Sequence, residues 1–471
     1  MRQGATYAEA RVIRRTTEGV AVLDRVVQPV RSNADLGFGV RVLVNGAWGF
    51  AASQLVTPDE VERVARLAVS GGRVAAAFRE RPVEFRPAKA CRAQWKTPIE
   101  IDPLSVSQKE KVELLLSYQE LAFREPCVTN MMFDVYSVRE ERHFASSESC
   151  YVDQELYYVW PSFLLVSIDE ETGEPIQRAS DTHAAAKGWE HVQELDIPGH
   201  IEHLTAQLKE KLSASPVEPR RRALVLDSSN LQLTLHETIG HAVELDLALG
   251  GDAQSASATY CTLDRLDTLR LGSKLVNVTA DRSTPGALST CGFDDEGYPT
   301  ETFSVVREGL FVGYATSASH ALEARGQRPR GCAYAATWAD VPMLRVPNLT
   351  LAAGPDPVSV EDLIAATDDG IYLAGAGSFS IDEQRGNGQF GGQVAWEIKR
   401  GKLTRMLRDV GYRCSSLEFW NSCTVLGGPA TWTMGGTLMC GKGDPAQYCP
   451  SGHGAPAARF DNIDVFNTRA E

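Results

Sequence analysis

The chain has 471 residues, 43% of them hydrophobic and 23% charged, with 8 Trp, 16 Phe and 13 Tyr. That is enough to bury two or three domain cores, and it excludes wholesale disorder. With 47 basic and 61 acidic residues the formal net charge is −14, which repels a nucleic-acid backbone and argues against such a partner. No apolar run approaches the about 20 residues that span a bilayer. The opening MRQGATYAEARVIRR lacks the apolar stretch of a signal peptide. A cytoplasmic protein with no membrane contact is expected. Its ten cysteines (91, 127, 150, 261, 291, 332, 414, 423, 440, 449) are scattered along the chain. They read as buried thiols rather than disulfides, any exception being a ligand or nucleophile.

The first 55 residues alternate apolar and polar with strand period, most clearly in VRVLVNGAWGFAA, where Asn45-Gly46 signals a hairpin. A helix opens at Thr57 with Pro58 in its first turn and Glu60 placed for a capping box; Val61, Val64, Ala65 and Ala68 form its apolar face. A second opens at Ser107 with Glu110 three residues later and carries Val112, Leu115, Leu116 and Leu121. Strand-like segments fill 128–168, and a third helix covers about Ile201–Leu212. SASPVEPRRR (213–222), with two prolines and Arg220-Arg221-Arg222, reads as a solvated linker. It divides the chain at 1–215 and 216–471.

Beyond it, RALVLD (222–227) reads as a buried strand and Asp227 as an N-cap. Leu231–Leu249 reads as one helix ended by Gly250-Gly251. Short strands and glycine-rich turns follow, with turns at Glu308-Gly309 and Arg400-Gly401. The fold class is α+β: an N-terminal mixed α/β region, then a β-rich C-terminal domain whose first helix carries HETIGHAVE.

HETIGHAVE (236–244) sets Glu237 after His236 and places His241 five positions on. Residues five apart on a regular helix point about 140° away from each other. Both imidazoles reach one ion only if the helix is locally distorted, as by a π-type turn, and Gly240 weakens it there. The alternative is two ordinary helix histidines. Against it stands Glu237, an ionisable group in an apolar helix that needs a partner if buried; metal and water would supply one. A catalytic zinc site needs a third protein ligand, and TMGGTLMCGKGDPAQYCPSGHGAPAARF (433–460) offers Cys440, Cys449 and His453. Within it, GTLMCGK fits seven places of a phosphate-binding loop, but Gly443 stands where Ser or Thr must hold magnesium. His200 and His203 share a helix face without a carboxylate and read as a surface pair.

These segments resemble the TldD/PmbA family, in its TldD-like zinc metallopeptidase branch. The likeness runs from AEARVIRR…GFGVRVLVNGAWGFA through LDSSNLQLTLHETIGHAVELD, REGLFVGYATS, DDGIYLAGAGSFSID and QFGGQVAWEIKRGKL to CGKG…GHGAPAARF. HExxxH with a later CGKG is specific to that branch. The resemblance implies Zn2+ held by His236, His241 and Cys440, with Glu237 as general base. It also implies a dimer, with a metal-free PmbA-like (TldE-like) chain or with a second copy. The expected function is zinc-dependent hydrolysis of peptide bonds in unfolded or modified peptides. N-deacylation of a small biosynthetic amide is the alternative, and a non-catalytic partner subunit the second. Cys449 departs from the family pattern and reads as a bystander thiol. His453 reads as structural or substrate-contacting. Glu244 is either bonded to a ligand histidine or solvated. GAGSFSIDEQRGNGQFGGQ (375–393) reads as a strand-poor wall for substrate.

Overall fold

The computed structural model describes residues 4–79, 82–250, 258–322, 324 and 326–469. The period-2 N-terminal segments form β1 (Tyr7–Leu23), β2 (Arg31–Val44) and β3 (Ala47–Ser53), followed by α1 (Pro58–Phe78). Then come β4 (Cys91–Lys96), α2 (Gln108–Ala122), β5 (Asn130–Ser146), β6 (Cys150–Ile168), β7 (Pro175–Ala179) and α3 (Ile197–Leu212). The sheet runs β3-β2-β1-β5-β6-β4, with β7 on β6. Asn45 (φ 49°) and Gly46 (φ 76°) both take the left-handed region that a tight two-residue hairpin requires. Thr57 caps α1 by accepting from the Glu60 amide at 3.4 Å. The Glu60 carboxylate turns to Arg63 at 2.7 Å instead of closing the expected box.

The remaining chain builds two further large sheets, besides a two-stranded pair of Ala333–Tyr334 with Met343–Leu344. One contains β8 (Arg220–Leu226), β12 (Asp369–Ile381), β13 (Asn387–Lys399), β14 (Lys402–Arg408), β15 (Val410–Ser415) and β18 (Ala458–Asn467), in the order β12-β8-β18-β15-β13-β14. Because β12 also pairs with β13, this sheet closes on itself. The other contains β9 (Val278–Asp281), β10 (Phe303–Arg307), β11 (Asn348–Leu351), β16 (Thr433–Lys442) and β17 (Gln447–Ala455). They are ordered β10-β9-β11-β17-β16, with β16 at the edge. Glu308-Gly309 and Arg400-Gly401 turn as expected, all four with positive φ. The architecture is α+β.

Three expectations need correction. Arg220–Arg222 lie in β8 rather than in a linker: Arg220 pairs with Asp369 at 2.8 Å, Arg221 bonds Asn462 at 3.0 Å, and buried Arg222 donates to the Glu218 carbonyl at 3.0 Å. Strand pairing with β18 and the polar neighbours outweigh the local proline and charge signal. Residues 375–393 are not strand-poor; they form the β12–β13 hairpin, where partner-strand bonding offsets the glycines' weak strand preference. The helix after Asp227 does not run unbroken to Leu249. It passes from α4 (Ser228–Leu235) into a π turn (His236–Gly240) and a 3₁₀ turn (His241–Val243), and then breaks at Glu244, whose ψ is 120°. A separate turn, Leu245–Ala248, follows; Gly250 has a positive φ, and Gly251 lies outside the described residues.

The N-terminal sheet is fastened to the rest through buried charge. Arg41 reaches Glu9 at 2.8 Å and Glu296 at 2.9 Å, with all three side chains at most 2% exposed. Its guanidinium also lies 4.3 Å from the centre of the Trp48 ring. Arg41→Met leaves two carboxylates buried without their cation, which should cost about 3–5 kcal/mol; the urea midpoint reads the loss. Burial pushes the Glu296 carboxyl up, but Arg41 and Ser319 hold it net below its ordinary value. Its contribution is therefore present above the ordinary carboxylate pKa and lost as pH falls through the lowered one.

Candidate metal centre

The distorted helix is enclosed by the core: Leu231, Leu235, Ile239, Ala242 and Val243 are fully buried, and its polar groups must find partners inside. Thr238 supplies several. Its hydroxyl donates to the Thr234 carbonyl at 2.5 Å and accepts from the Trp420 indole at 2.9 Å, while its carbonyl accepts from the Tyr260 hydroxyl at 2.6 Å. These contacts tie the π turn to Tyr260 and Trp420. Gly240 has a second reason to be glycine. A Cβ there would sit 2.7 Å from Leu349 Cδ1 and 3.1 Å from Val346 Cγ1, so the helix approaches the β11 segment only without a side chain.

The extra residue in the π turn brings the two imidazoles together, their ring centres 4.6 Å apart. Cys440 arrives on edge strand β16, and its Sγ lies 3.5 Å from His241 Nε2. One potential ligand atom from each of His236, His241 and Cys440 lies within 4.8 Å of the others, and all three residues are buried. The 3.5 Å separation fits within the reach of one ion bonded to nitrogen and sulfur at about 2.1 and 2.3 Å.

Polar neighbours orient the cluster. His241 Nδ1 bonds Glu244 Oε2 at 2.9 Å, which leaves Nε2 facing Cys440. Burial alone would lower the His241 pKa, but Cys440 and Glu244 carry it up to about 9. Burial alone would raise the Cys440 thiol, but His236 and His241 bring it well below its ordinary value. His236 Nδ1 is buried without a hydrogen-bond partner. Glu244 is fully buried and bonded to His241 rather than solvated: Lys442 at 3.3 Å and His241 hold its carboxyl down at about 2 against the cost of burial. Lys442 is itself held by Asp246 at 2.5 Å.

Glu237, next to His236 in the chain, is 6% exposed. Its partner here is Arg385, whose Nη1 is 2.7 Å from Oε2, so a protein cation fills the role expected of metal and water. Arg385 stands at the tip of the β12–β13 hairpin, and the turn residues Arg385-Gly386-Asn387 were its only sequence signal. His241, Glu244, Arg385 and Lys442 line a cavity of about 320 Å³. A larger hollow of about 1150 Å³, between Ser380–Asp382 and Arg413–Ser415, contains none of the three clustered residues. His453 on β17 packs its ring 4.3 Å from that of His236, and Ser451 lies 3.2 Å from its Nε2. Cys449 faces Cys440 across the β16–β17 ladder and packs near Tyr334 and Ala336. GTLMCGK lies within β16, not a phosphate loop. His203 bonds Gln207 on α3.

Residues 219–467 match the PmbA/TldA metallopeptidase C-terminal domain, and residues 8–71 match the first domain of the same family. The chain belongs to the PmbA/TldD family. Two relatives align along nearly their whole length. Metalloprotease MJ0996 of Methanocaldococcus jannaschii is 25% identical, covering 96% of this chain and 95% of that one. The zinc metalloprotease TldD homolog of Saccharolobus solfataricus is 22% identical, covering 90% and 89%. The fold matches TldE from Thermococcus kodakarensis with a TM-score of 0.76 at 16% identity, covering 98% of this chain and 97% of that one. This PmbA/TldD chain has no helix, among the described residues, long and apolar enough to cross a membrane.

Proposed function

We propose that the chain is a zinc-dependent peptidase acting on unfolded or modified peptides, with His236, His241 and Cys440 as ligands and Glu237 as general base. The observation that carries it is the convergence of two imidazole nitrogens and a sulfur made possible by the π turn. The donor set of two imidazoles and one thiol suits zinc. When bound, zinc supplies Lewis-acid polarisation of the scissile carbonyl and acidifies water. Glu237 takes the water's proton and delivers it to the leaving amine. Glu244 holds His241 in the tautomer that presents Nε2, and Arg385 fixes one oxygen of the Glu237 carboxylate. Cys440 lies on an edge strand, so an extended peptide adding beside β16 would pass the ligands with little side-chain choice.

A PmbA-like chain or a second copy is the proposed partner, the cytoplasm the proposed location. The likeness to TldE and the ten free cysteines support these two readings. The proposed domain division stays at 215/216, supported by the confinement of the first sheet to residues before 180.

The test is to assay zinc-loaded protein, with and without a PmbA-like chain, on denatured casein, on a folded protein and on an N-acetylated small amine. Denatured casein should be cut at many positions while the folded protein resists. Turnover of the amine alone would replace the peptidase reading with a deacylase, and no turnover of any substrate with either partner would favour a non-catalytic subunit. Arg385→Ala should keep zinc and lower kcat by about 10- to 100-fold, the worth of one charge-assisted hydrogen bond of about 1.5–3 kcal/mol. An unchanged kcat would remove Arg385 from the mechanism.

A further inference from the structure

Arg345 is fully buried beside the ligand set, outside every motif that the sequence singles out. Its Nη2 lies 3.1 Å from Cys440 Sγ and 2.5 Å from the Cys440 carbonyl oxygen, and its Nη1 donates to the Gln447 carbonyl at 2.8 Å. The guanidinium thus clamps the β16–β17 hairpin at the residue that carries the sulfur. A buried guanidinium keeps its charge and requires an anion nearby. Among the described residues no carboxylate lies within ion-pair distance of it, and the Cys440 sulfur is its one hydrogen-bond partner that can carry negative charge.

We infer that Arg345 is a positioning residue for Cys440: it fixes the direction of the sulfur and draws off part of its charge, so that the sulfur donates less to a bound cation. The inference rests on the ligand reading above. A less donating thiolate leaves the cation a stronger Lewis acid, which a three-ligand hydrolytic centre needs. A role limited to stapling two strands would need only the two carbonyl bonds and would leave the sulfur's electronic character alone.

Cobalt(II) bound in place of zinc separates the two roles, because its thiolate-to-metal charge-transfer band reports the electron richness of sulfur. In Arg345→Gln the band should move to lower energy while keeping the intensity of one thiolate; Arg345→Lys should show a smaller move in the same direction. Bands that overlay those of the unaltered protein would overturn the inference and leave Arg345 a staple. Arg345→Lys, which keeps the cation, carries this measurement if Arg345→Gln does not fold. A second measurement needs no metal. In metal-free protein, Arg345→Gln should lower Tm less in a Cys440→Ala background than in the unaltered chain, because the charge pair is already broken. Additive losses would overturn the pair. Absence of any cobalt or zinc binding to the unaltered chain would defeat the metal reading instead, and the metal-free comparison would still decide the pair.

Discussion

Glu237→Gln should retain zinc and lose about 10²–10⁴-fold in kcat, the usual contribution of a positioned general base. The side chain is nearly isosteric and Arg385 is 2.7 Å away, so the neutral amide is accommodated without moving His236 or His241. What disappears is the acceptor for the water's proton. Metal content by atomic absorption, measured beside turnover of denatured casein, separates the two consequences. A variant with zinc and near-normal rate means another group takes the proton; a variant without zinc means Glu237 supports the ligands.

Removing a ligand should be more severe. His236→Ala and Cys440→Ala each leave two donors where three converge. Loss of an outer partner of a metal ligand typically costs about 10–100-fold in affinity, and loss of a direct bond should exceed that. Both variants should purify with little zinc and without activity. Cys440→Ala should also lose Tm in the metal-free state, because Arg345 then faces no anion. Full zinc retention in both variants would refute the assignment.

The amino-acid sequence made the local geometry legible where one physical demand dominates. The hairpins at Asn45-Gly46, Glu308-Gly309 and Arg400-Gly401 follow from turn chemistry, since those positions take positive φ. The π turn followed from spacing: histidines five apart converge only on a distorted helix, and the helix is distorted at those residues. Where long-range partners decide, local reading failed. Arg220–Arg222 looked like a linker because nothing nearby announces Asp369 or Asn462. Glycines in 375–393 hid a hairpin that β13 stabilises from across the turn. Arg345 and Arg385 lie 95 and 148 positions from the groups they hold, and no periodicity or motif encodes such a contact. Cys440 itself was one of three possible donors in the tail until the resemblance singled it out.

The interval of 199 positions between His241 and Cys440 has a consequence for how the protein comes into being. Translation delivers both histidines, and then most of the C-terminal half, before the sulfur exists. Even after it emerges, β17 must settle between β11 and β16 before Cys440 meets His241. A growing polypeptide is itself an unfolded peptide, the proposed substrate. The order of synthesis therefore keeps the proposed hydrolytic centre incomplete while the emerging chain is most vulnerable to it, and completes that centre only when the strands that carry it are folded away.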